Sequence, residues 1–101
     1  MTELEKDIER KLVKLVEKHG GLCLKWVCPG WSGVPDRIVL LPGGVVMFVE
    51  TKRPKGSRVA KLQTWWAERI RRLGFWCFCT FDVPDLHTLE LVIIDELSRS
   101  K

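Results

Sequence analysis

Hydrophobic residues near the start of the chain recur with a helical period. They fall on one stripe when residues are placed about 3.6 to a turn, and the stripe consists of Leu4, Ile8, Leu12, Leu15 and Val16. Thr2 is a candidate N-cap because its hydroxyl can accept a hydrogen bond from the first helical N–H groups. Gly20-Gly21 is typical of a helix end. The pattern predicts a first helix between Thr2 and Gly20.

Extended apolar runs follow the first helix. Leu22 to Val27 mixes β-branched, aromatic and apolar residues and predicts a strand, and Pro29 to Pro35 is a loop rich in Pro and Gly. Arg37 to Leu41 and Val45 to Val49 flank Pro42-Gly43-Gly44, which predicts a hairpin with a tight turn. Both hairpin strands are apolar on both faces. They are therefore expected at the centre of a sheet covered by helices on each side.

The second half of the chain returns to a helical period. Val59 to Leu73 predicts a second helix that ends at Gly74, and Phe75 to Phe81 predicts a fourth strand. A strand, helix, strand succession is most simply a right-handed crossover, so the fourth strand is expected parallel to the third.

A final helix carries one apolar stripe, formed by Leu86, Leu89, Ile93 and Leu97. Asp85 or Thr88 is a candidate cap, and Leu91 and Ile94 lie off the stripe, which suggests a partner surface. The whole chain is then a single α/β domain over residues 1–101, with the order α-β-β-β-α-β-α and a mixed central sheet flanked by helices.

Charge and cysteine content narrow the function classes only slightly. A net charge of +4 fits a polyanionic partner but occurs in many proteins without one. The cysteines form no C-x-x-C pair, so a zinc site is not expected, and Cys77 and Cys79 alternate as two buried thiols on one strand face. No apolar run approaches the ~20 residues of a membrane span. We expect a reduced, soluble protein of the cytoplasm.

Two carboxylates are expected to meet at the end of the hairpin. A turn centred near Gly43 pairs Asp36 with Glu50 across the two strands. At about 5 Å and an effective dielectric constant of about 20, their repulsion is about 3 kcal/mol. Lys52 projects to the same face as Glu50, and a divalent cation between the carboxylates would compensate more completely. From spacing alone, a turn aspartate and an ordinary charged strand end fit equally well.

The residues Gly33-Val34-Pro35-Asp36 and Val49-Glu50-Thr51-Lys52 resemble the P-D...E-x-K signature of the PD-(D/E)XK nucleases. More closely, the chain resembles the VRR-NUC domain of small phage and bacterial nucleases, over nearly its whole length. The matching features are the Glu-bearing first helix, Gly20-Gly21, Lys25, G-V-P-D-R, the Gly43-Gly44 turn, V-E-T-K, Gln63 and Leu73-Gly74-Phe75. The resemblance implies a restriction-endonuclease-like core, and archaeal Holliday junction resolvases are more distantly similar.

This resemblance implies a site for Mg²⁺ or Mn²⁺. Asp36 and Glu50 would be ligands together with the Thr51 carbonyl, and Lys52 would orient the attacking water or stabilise developing charge. The side chain of Thr51, where family members often carry an apolar residue, is expected to point away from the site. Glu9 is the candidate first-helix carboxylate, acting through a water or on a second metal.

Several further residues are lower-ranked candidates. Glu5 lies one turn before Glu9 on the same face, so the assignment between the two stays open, and either can be part of a solvated face. Gln63 either hydrogen-bonds near the site or lies on the surface. The candidate phosphate contacts, each of which also fits a solvated charge, are Lys25, Arg53, Lys55, Arg58 and Lys61.

Two tryptophans stand outside the predicted core stripes. Trp31, in the Pro- and Gly-rich loop, can stack on an exposed base, but a loop anchor tucked into the core is the preferred interpretation. Trp65 is expected to meet a neighbouring element or a second subunit. Arg69, Arg71 and Arg72 surround the second helix, so they receive no role.

The leading hypothesis is a metal-dependent, structure-selective DNA endonuclease. It would act as a homodimer on branched DNA such as a Holliday junction, because two symmetric cuts need two sites. The alternative is a non-catalytic DNA-binding or interaction module that keeps the nuclease fold. The resemblance also suggests a phage or prokaryotic source.

Overall fold

The computed structural model of the 101-residue chain describes residues 2–51, 57–79 and 83–99. Its elements follow the predicted order α-β-β-β-α-β-α. They are α1 (Thr2–Lys18), β1 (Leu22–Lys25), β2 (Arg37–Leu41), β3 (Val45–Glu50), α2 (Ser57–Arg72), β4 (Trp76–Cys79) and α3 (Val83–Arg99).

A four-stranded mixed sheet forms the centre of the fold. The strand order is β1-β2-β3-β4, with the first two pairings antiparallel and β3 parallel to β4. The two apolar strands β2 and β3 are therefore central, as predicted. Their hairpin pairs Leu41 with Val45 around Gly43 and Gly44, whose φ angles are 86° and 81°. Positive φ is inexpensive only for glycine, which explains the tight turn.

The main core lies between one sheet face and two helices. Side chains from α1, α3 and alternate positions of the strands form it, including Leu12, Val39, Met47 and Ile93, each fully buried. The stripe positions of both helices supply this core, since residues spaced three and four apart share a helix face. At the end of α1, a Cβ on Gly21 would come within 2.6 Å of the Leu40 carbonyl oxygen, so the chain turns closely onto the sheet there.

The opposite sheet face is covered unevenly. Ala67 and Ile70 of α2 pack on Cys77 of β4, with Trp26 and Phe48 beside them. On β1, Leu22 and Leu24 point to this same side, opposite to the buried Cys23, and remain 55% and 46% exposed. Among the described residues, α2 thus covers the β4 half of the face and leaves the β1 half open.

Three local predictions need correction. The strand β1 ends at Lys25, before Val27. The helix α3 already includes Val83, so Asp85 lies in its first turn and Thr88 further inside, and neither occupies the N-cap position. The cysteines of β4 share one face, but only Cys77 is buried while Cys79 is exposed.

None of the helices in the described ranges has the length and apolar character needed to cross a membrane.

Candidate functional site

The loop before β2 is fastened to α2, and this fixes the position of Asp36. The indole Nε1 of Trp66 donates a hydrogen bond to the Ser32 carbonyl at 2.9 Å. Gly33 has φ +86°, and a Cβ there would lie only 2.6 Å from Cβ of Leu62. On the other side, the Trp26 N–H donates to the Asp36 carbonyl at 2.9 Å. The backbone around Asp36 is therefore held between β1 and α2.

The Asp36 carboxylate accepts two hydrogen bonds from Thr51. The Thr51 N–H donates to Oδ1 at 2.9 Å, and the Thr51 hydroxyl donates to Oδ2 at 2.7 Å. The expectation that the Thr51 side chain points away from the site is wrong. The strand β3 ends at Glu50, so the alternation of faces does not extend to Thr51, which is 1% exposed.

Glu50 lies beside Asp36 at the end of the hairpin. The pairs from Arg37 with Val49 to Leu41 with Val45 have the register that the predicted turn requires. Asp36 directly precedes β2 and Glu50 ends β3, so both residues lie at the same end of the hairpin. Glu50 is 5% exposed and is in register with Cys79 of β4. Although Cys79 is exposed at the surface, partial desolvation by the surrounding protein raises the pKa of its thiol, and the nearby negative charge of Glu50 raises it further.

Glu9 of α1 reaches the same end of the sheet, held by an arginine. The Arg37 Nη2 donates to Glu9 Oε2 at 3.1 Å, and the two side chains are 11% and 23% exposed. The buried Arg37 Nε finds no hydrogen-bond partner among the described residues. Arg37 was not among the predicted site residues, although strand alternation places it on the α1 side of β2 with Val39. This alternation is the sequence feature from which Arg37 could have been predicted to face α1.

One small cavity joins three of the predicted residues. It measures about 180 Å³, and its walls include Glu9, Lys25 and Asp36 together with Trp26 and Val27. The structure therefore brings the first-helix carboxylate, the strand lysine and the loop aspartate to one opening. The side chain of Glu5, the alternative to Glu9, lies outside the described residues.

The remaining predicted residues fall into two groups. Gln63 is half-buried in α2, where its backbone nitrogen would lie 3.2 Å from a Cβ on Gly33, and Lys61 is exposed two residues earlier. The residues whose side chains lie outside the described part of the chain are Lys52, Arg53, Lys55 and Arg58.

The donor set at Asp36 and Glu50 fits a hard divalent cation. Magnesium takes one or two carboxylates and completes its shell with waters and phosphate oxygens. The neighbouring carboxylates of Asp36 and Glu50, of which Glu50 is buried, match that preference. Thr51, the first residue after β3, donates a hydrogen bond to the Asp36 carboxylate. Within the described ranges, no group of three or more His, Cys, Asp or Glu side chains is arranged to hold an ion. The fit therefore rests on the two-carboxylate set.

The tryptophan predictions have mixed outcomes. Trp31 is 63% exposed, so the interpretation as an anchor tucked into the core is wrong. Trp65 is 48% exposed and contacts the neighbouring ring of Trp66.

Comparisons with known proteins point in one direction. No protein-family model matches the chain. A phage protein called "Putative nuclease p44", from Acyrthosiphon pisum secondary endosymbiont phage 1, is 54% identical over 70 residues, which are 69% of this chain and 74% of that protein. A solved structure described as "VRR_NUC domain" superposes with a TM-score of 0.74 at 31% identity, covering 85% of this chain and 92% of that one.

Proposed function

The chain belongs to the VRR-NUC family of nucleases, and on that premise we propose that it is a metal-dependent endonuclease that hydrolyses phosphodiester bonds in branched DNA. The observation that carries this proposal is the pair of carboxylates at the end of the hairpin. Asp36 is held by Thr51, and Glu50 is 5% exposed in the adjacent strand. Neighbouring carboxylate oxygens are the ligands that a hard divalent cation prefers.

We assign the ion to Asp36 and Glu50, with the Thr51 carbonyl as a third oxygen. A bound Mg²⁺ or Mn²⁺ supplies a Lewis acid for the scissile phosphate and lowers the pKa of an attacking water. Thr51 keeps the Asp36 carboxylate in one orientation through two hydrogen bonds, so little reorganisation is needed on binding. Lys52 follows Glu50 by two residues and contributes positive charge toward the reacting phosphate.

Glu9 and Lys25 act at the entrance of the site. Arg37 fixes Glu9 at 3.1 Å, and the cavity shared with Asp36 and Lys25 leaves room for a water or a phosphate oxygen. In this proposal Glu9 orients a water, and the Lys25 ammonium contacts the DNA backbone. Gln63 on α2 is the neutral hydrogen-bonding group on the other side of the loop that carries Asp36.

The basic residues after β3 would bind the DNA backbone outside the site. Arg53, Lys55 and Arg58 follow directly in sequence, and Lys61 is exposed on α2. Contacts of this kind release counterions, so the affinity for DNA should fall steeply with salt.

A homodimer is part of the same proposal. Symmetric cuts across a junction require two sites, and the open half of the sheet face offers apolar surface for a second copy, including Leu22 and Leu24. Sedimentation velocity with and without junction DNA measures this. A species that stays monomeric in both conditions would contradict the symmetric arrangement.

Cleavage assays on a panel of DNAs test the activity. Four-way junction, flap, single-stranded and linear duplex DNA of equal length are incubated with Mg²⁺, Mn²⁺ or EDTA, and the products are resolved at nucleotide resolution. We expect metal-dependent cutting that is fastest on the junction, and its loss in Glu50→Gln. Asp95→Asn, which removes an exposed carboxylate from α3, is the matched control and should cut normally.

Two outcomes would overturn the assignment. Binding without cutting under every metal condition would favour a non-catalytic DNA-binding module. Equal cutting by the wild type and Glu50→Gln would place the chemistry elsewhere. Equal rates on all four DNAs would leave a nuclease but remove the preference for branched substrates.

A further inference from the structure

One side of α2 carries a stripe of cations around an exposed tryptophan. Residues spaced three or four apart lie on the same helix face, and here they are Lys61, Trp65, Glu68, Arg69 and Arg72, so three cations outnumber one carboxylate. All five are exposed, and they lie away from Ala67 and Ile70, which pack on the sheet. The stripe therefore faces solvent in the described part of the protein.

Three tryptophan rings form a fixed aromatic surface next to this stripe. Trp31 and Trp65 both meet Trp66 edge to face, at centroid distances of 5.7 and 5.0 Å. Trp66 itself is anchored by its hydrogen bond to the Ser32 carbonyl. The outer two rings remain 63% and 48% exposed. Large apolar rings held in place yet open to water are a costly arrangement that suits a flat apolar ligand.

The cations are arranged around these rings. The Arg69 guanidinium lies 4.8 Å from the Trp65 ring centre, and Lys61 shares a shallow groove of about 300 Å³ with Trp65 and Glu68. Arg71, by contrast, turns to the Cys77 carbonyl at 2.8 and 3.1 Å and is not part of this surface. Exposed aromatic rings beside cations are the combination that binds single-stranded nucleic acid. The bases stack on the rings, and the phosphates pair with the positively charged side chains.

The surface is close to the candidate catalytic carboxylates. Trp31 precedes Asp36 by only five residues, and a fully extended chain spans at most about 3.5 Å per residue, so the two lie within about 18 Å. The loop between them is packed on α2 at Gly33. A strand bound on the rings would thus be within a few nucleotides of the site.

We propose that Trp31, Trp65 and Trp66, with Lys61, Arg69 and Arg72, bind an unpaired DNA strand. The bases stack on the exposed indole rings, and the three cations contact the phosphates on either side. This inference rests on the proposed function and deepens it, because it makes unpaired nucleotides at a branch point the feature that the enzyme recognises. A second copy of the chain is the rival occupant, but a symmetric contact would set like charges of the two stripes against one another.

Binding measurements in EDTA test this proposal without any cleavage. Fluorescence anisotropy gives the affinity of the full chain for a labelled dT oligonucleotide of about 12 nucleotides and for a duplex of equal length. We expect Trp31→Ala and Trp65→Ala each to weaken dT binding by about 5- to 150-fold, and duplex binding by less than about twofold. Trp65→Phe should restore most of the dT affinity, which a misfolded variant would not do. Trp76→Ala is the matched control, since this indole on β4 is 43% exposed, and it should bind dT normally.

Three results would overturn the proposal. These are unchanged dT binding in both alanine variants, equal weakening on dT and duplex, or conversion of a dimer to a monomer by Trp65→Ala in sedimentation velocity. Cleavage in the presence of Mg²⁺ is measured in a separate experiment, which distinguishes failure of this inference from failure of the proposed function. If the wild type cuts no DNA while dT binding depends on Trp65, the proposed function fails and this inference stands. If it cuts while the alanine variants bind dT as well as the wild type, this inference alone fails.

Discussion

Thr51 satisfies both oxygens of the Asp36 carboxylate, from its N–H at 2.9 Å and its hydroxyl at 2.7 Å. These hydrogen bonds go to a charged acceptor and are therefore about twice as strong as neutral ones. They offset part of the repulsion between Asp36 and Glu50 in the absence of a cation. They also join the end of β3 to the start of β2 beyond the last ladder pair, so the two acidic residues are fixed relative to one another.

Removing only the Thr51 hydroxyl should loosen Asp36. Thr51→Val keeps the shape and the backbone N–H donor but leaves Oδ2 without its partner, at a cost of about 1–3 kcal/mol in unfolding free energy. Cleavage should fall by about tenfold or more, because the carboxylate loses its orientation. Thr51→Ser retains the hydroxyl and should keep most of the activity. Equal kcat values for the valine variant and the wild type would show that this hydrogen bond has no part in catalysis.

Cation binding at Asp36 and Glu50 should appear in thermal stability. A ligand at ten times its Kd stabilises the folded state by about 1.4 kcal/mol, which corresponds to several degrees for a domain of this size. We expect Mg²⁺ or Mn²⁺ to raise the Tm of the wild type and of Asp95→Asn equally, and to have little effect on Glu50→Gln. Differential scanning calorimetry at fixed ionic strength measures the shift. The two-carboxylate site is refuted by a wild-type Tm that does not respond, or by one that responds no more than Glu50→Gln.

The sheet and the carboxylate pair follow from short-range sequence features. Apolar residues on both faces place β2 and β3 at the centre, and Gly43-Gly44 fixes their register, which sets Asp36 and Glu50 at the same end of the hairpin. Neither inference needs knowledge of distant contacts. This is why the placement of both carboxylates at one end of the hairpin could be predicted from the chain alone.

The errors concern positions where regular structure ends. The orientation of Thr51 depends on β3 stopping at Glu50, and alternation gives no warning of that. The exposure of Trp31 depends on a loop fastened to α2 through Ser32 and Trp66, which are far apart in sequence. Three arginines in α2 look alike in the sequence, but only the tertiary structure separates Arg71, which binds the Cys77 carbonyl, from Arg69, which lies over Trp65.

The Arg37–Glu9 ion pair should show measurable coupling. Both side chains are largely buried and bonded at 3.1 Å, so a double-mutant cycle with Arg37→Met and Glu9→Gln should give about 0.5–3 kcal/mol in urea unfolding. The Arg10–Asp7 pair of the same helix is the control. It is exposed and 3.7 Å apart, and its cycle should give close to zero. If Arg37 and Glu9 prove additive, Glu9 is not held by Arg37 in solution.

Acid should remove the contribution of Glu90 to stability. Hydrogen bonds from Lys18 and then His19 hold the pKa of this carboxyl below its ordinary value of 4.5. Because the folded pKa is the lower one, the stabilisation is complete above about pH 4.5 and disappears as the pH falls through the folded pKa. Glu90→Gln should therefore be less stable than the wild type at pH 7, by about 0.5–1 kcal/mol, and the difference should shrink toward pH 3. Urea unfolding at pH 7, 5 and 3 measures it, and a gap that is constant over this range would exclude the ion pair as its source.

Gly33 and Gly30 offer a matched test of how the loop before Asp36 is fastened. Both have φ +86°, so alanine costs about 1–3 kcal/mol of backbone strain at either position. Only at Gly33 does the new Cβ also collide, at 2.6 Å from the Leu62 Cβ and 3.0 Å from its carbonyl carbon, whereas nothing lies within 4 Å of a Cβ on Gly30. Gly33→Ala should thus lower the unfolding free energy by clearly more than Gly30→Ala. It should also reduce cleavage at temperatures where both variants are folded, because the collision separates the loop from α2 and displaces Asp36. Equal Tm values and equal kcat values for the two variants would mean that contact with α2 does not position the carboxylate.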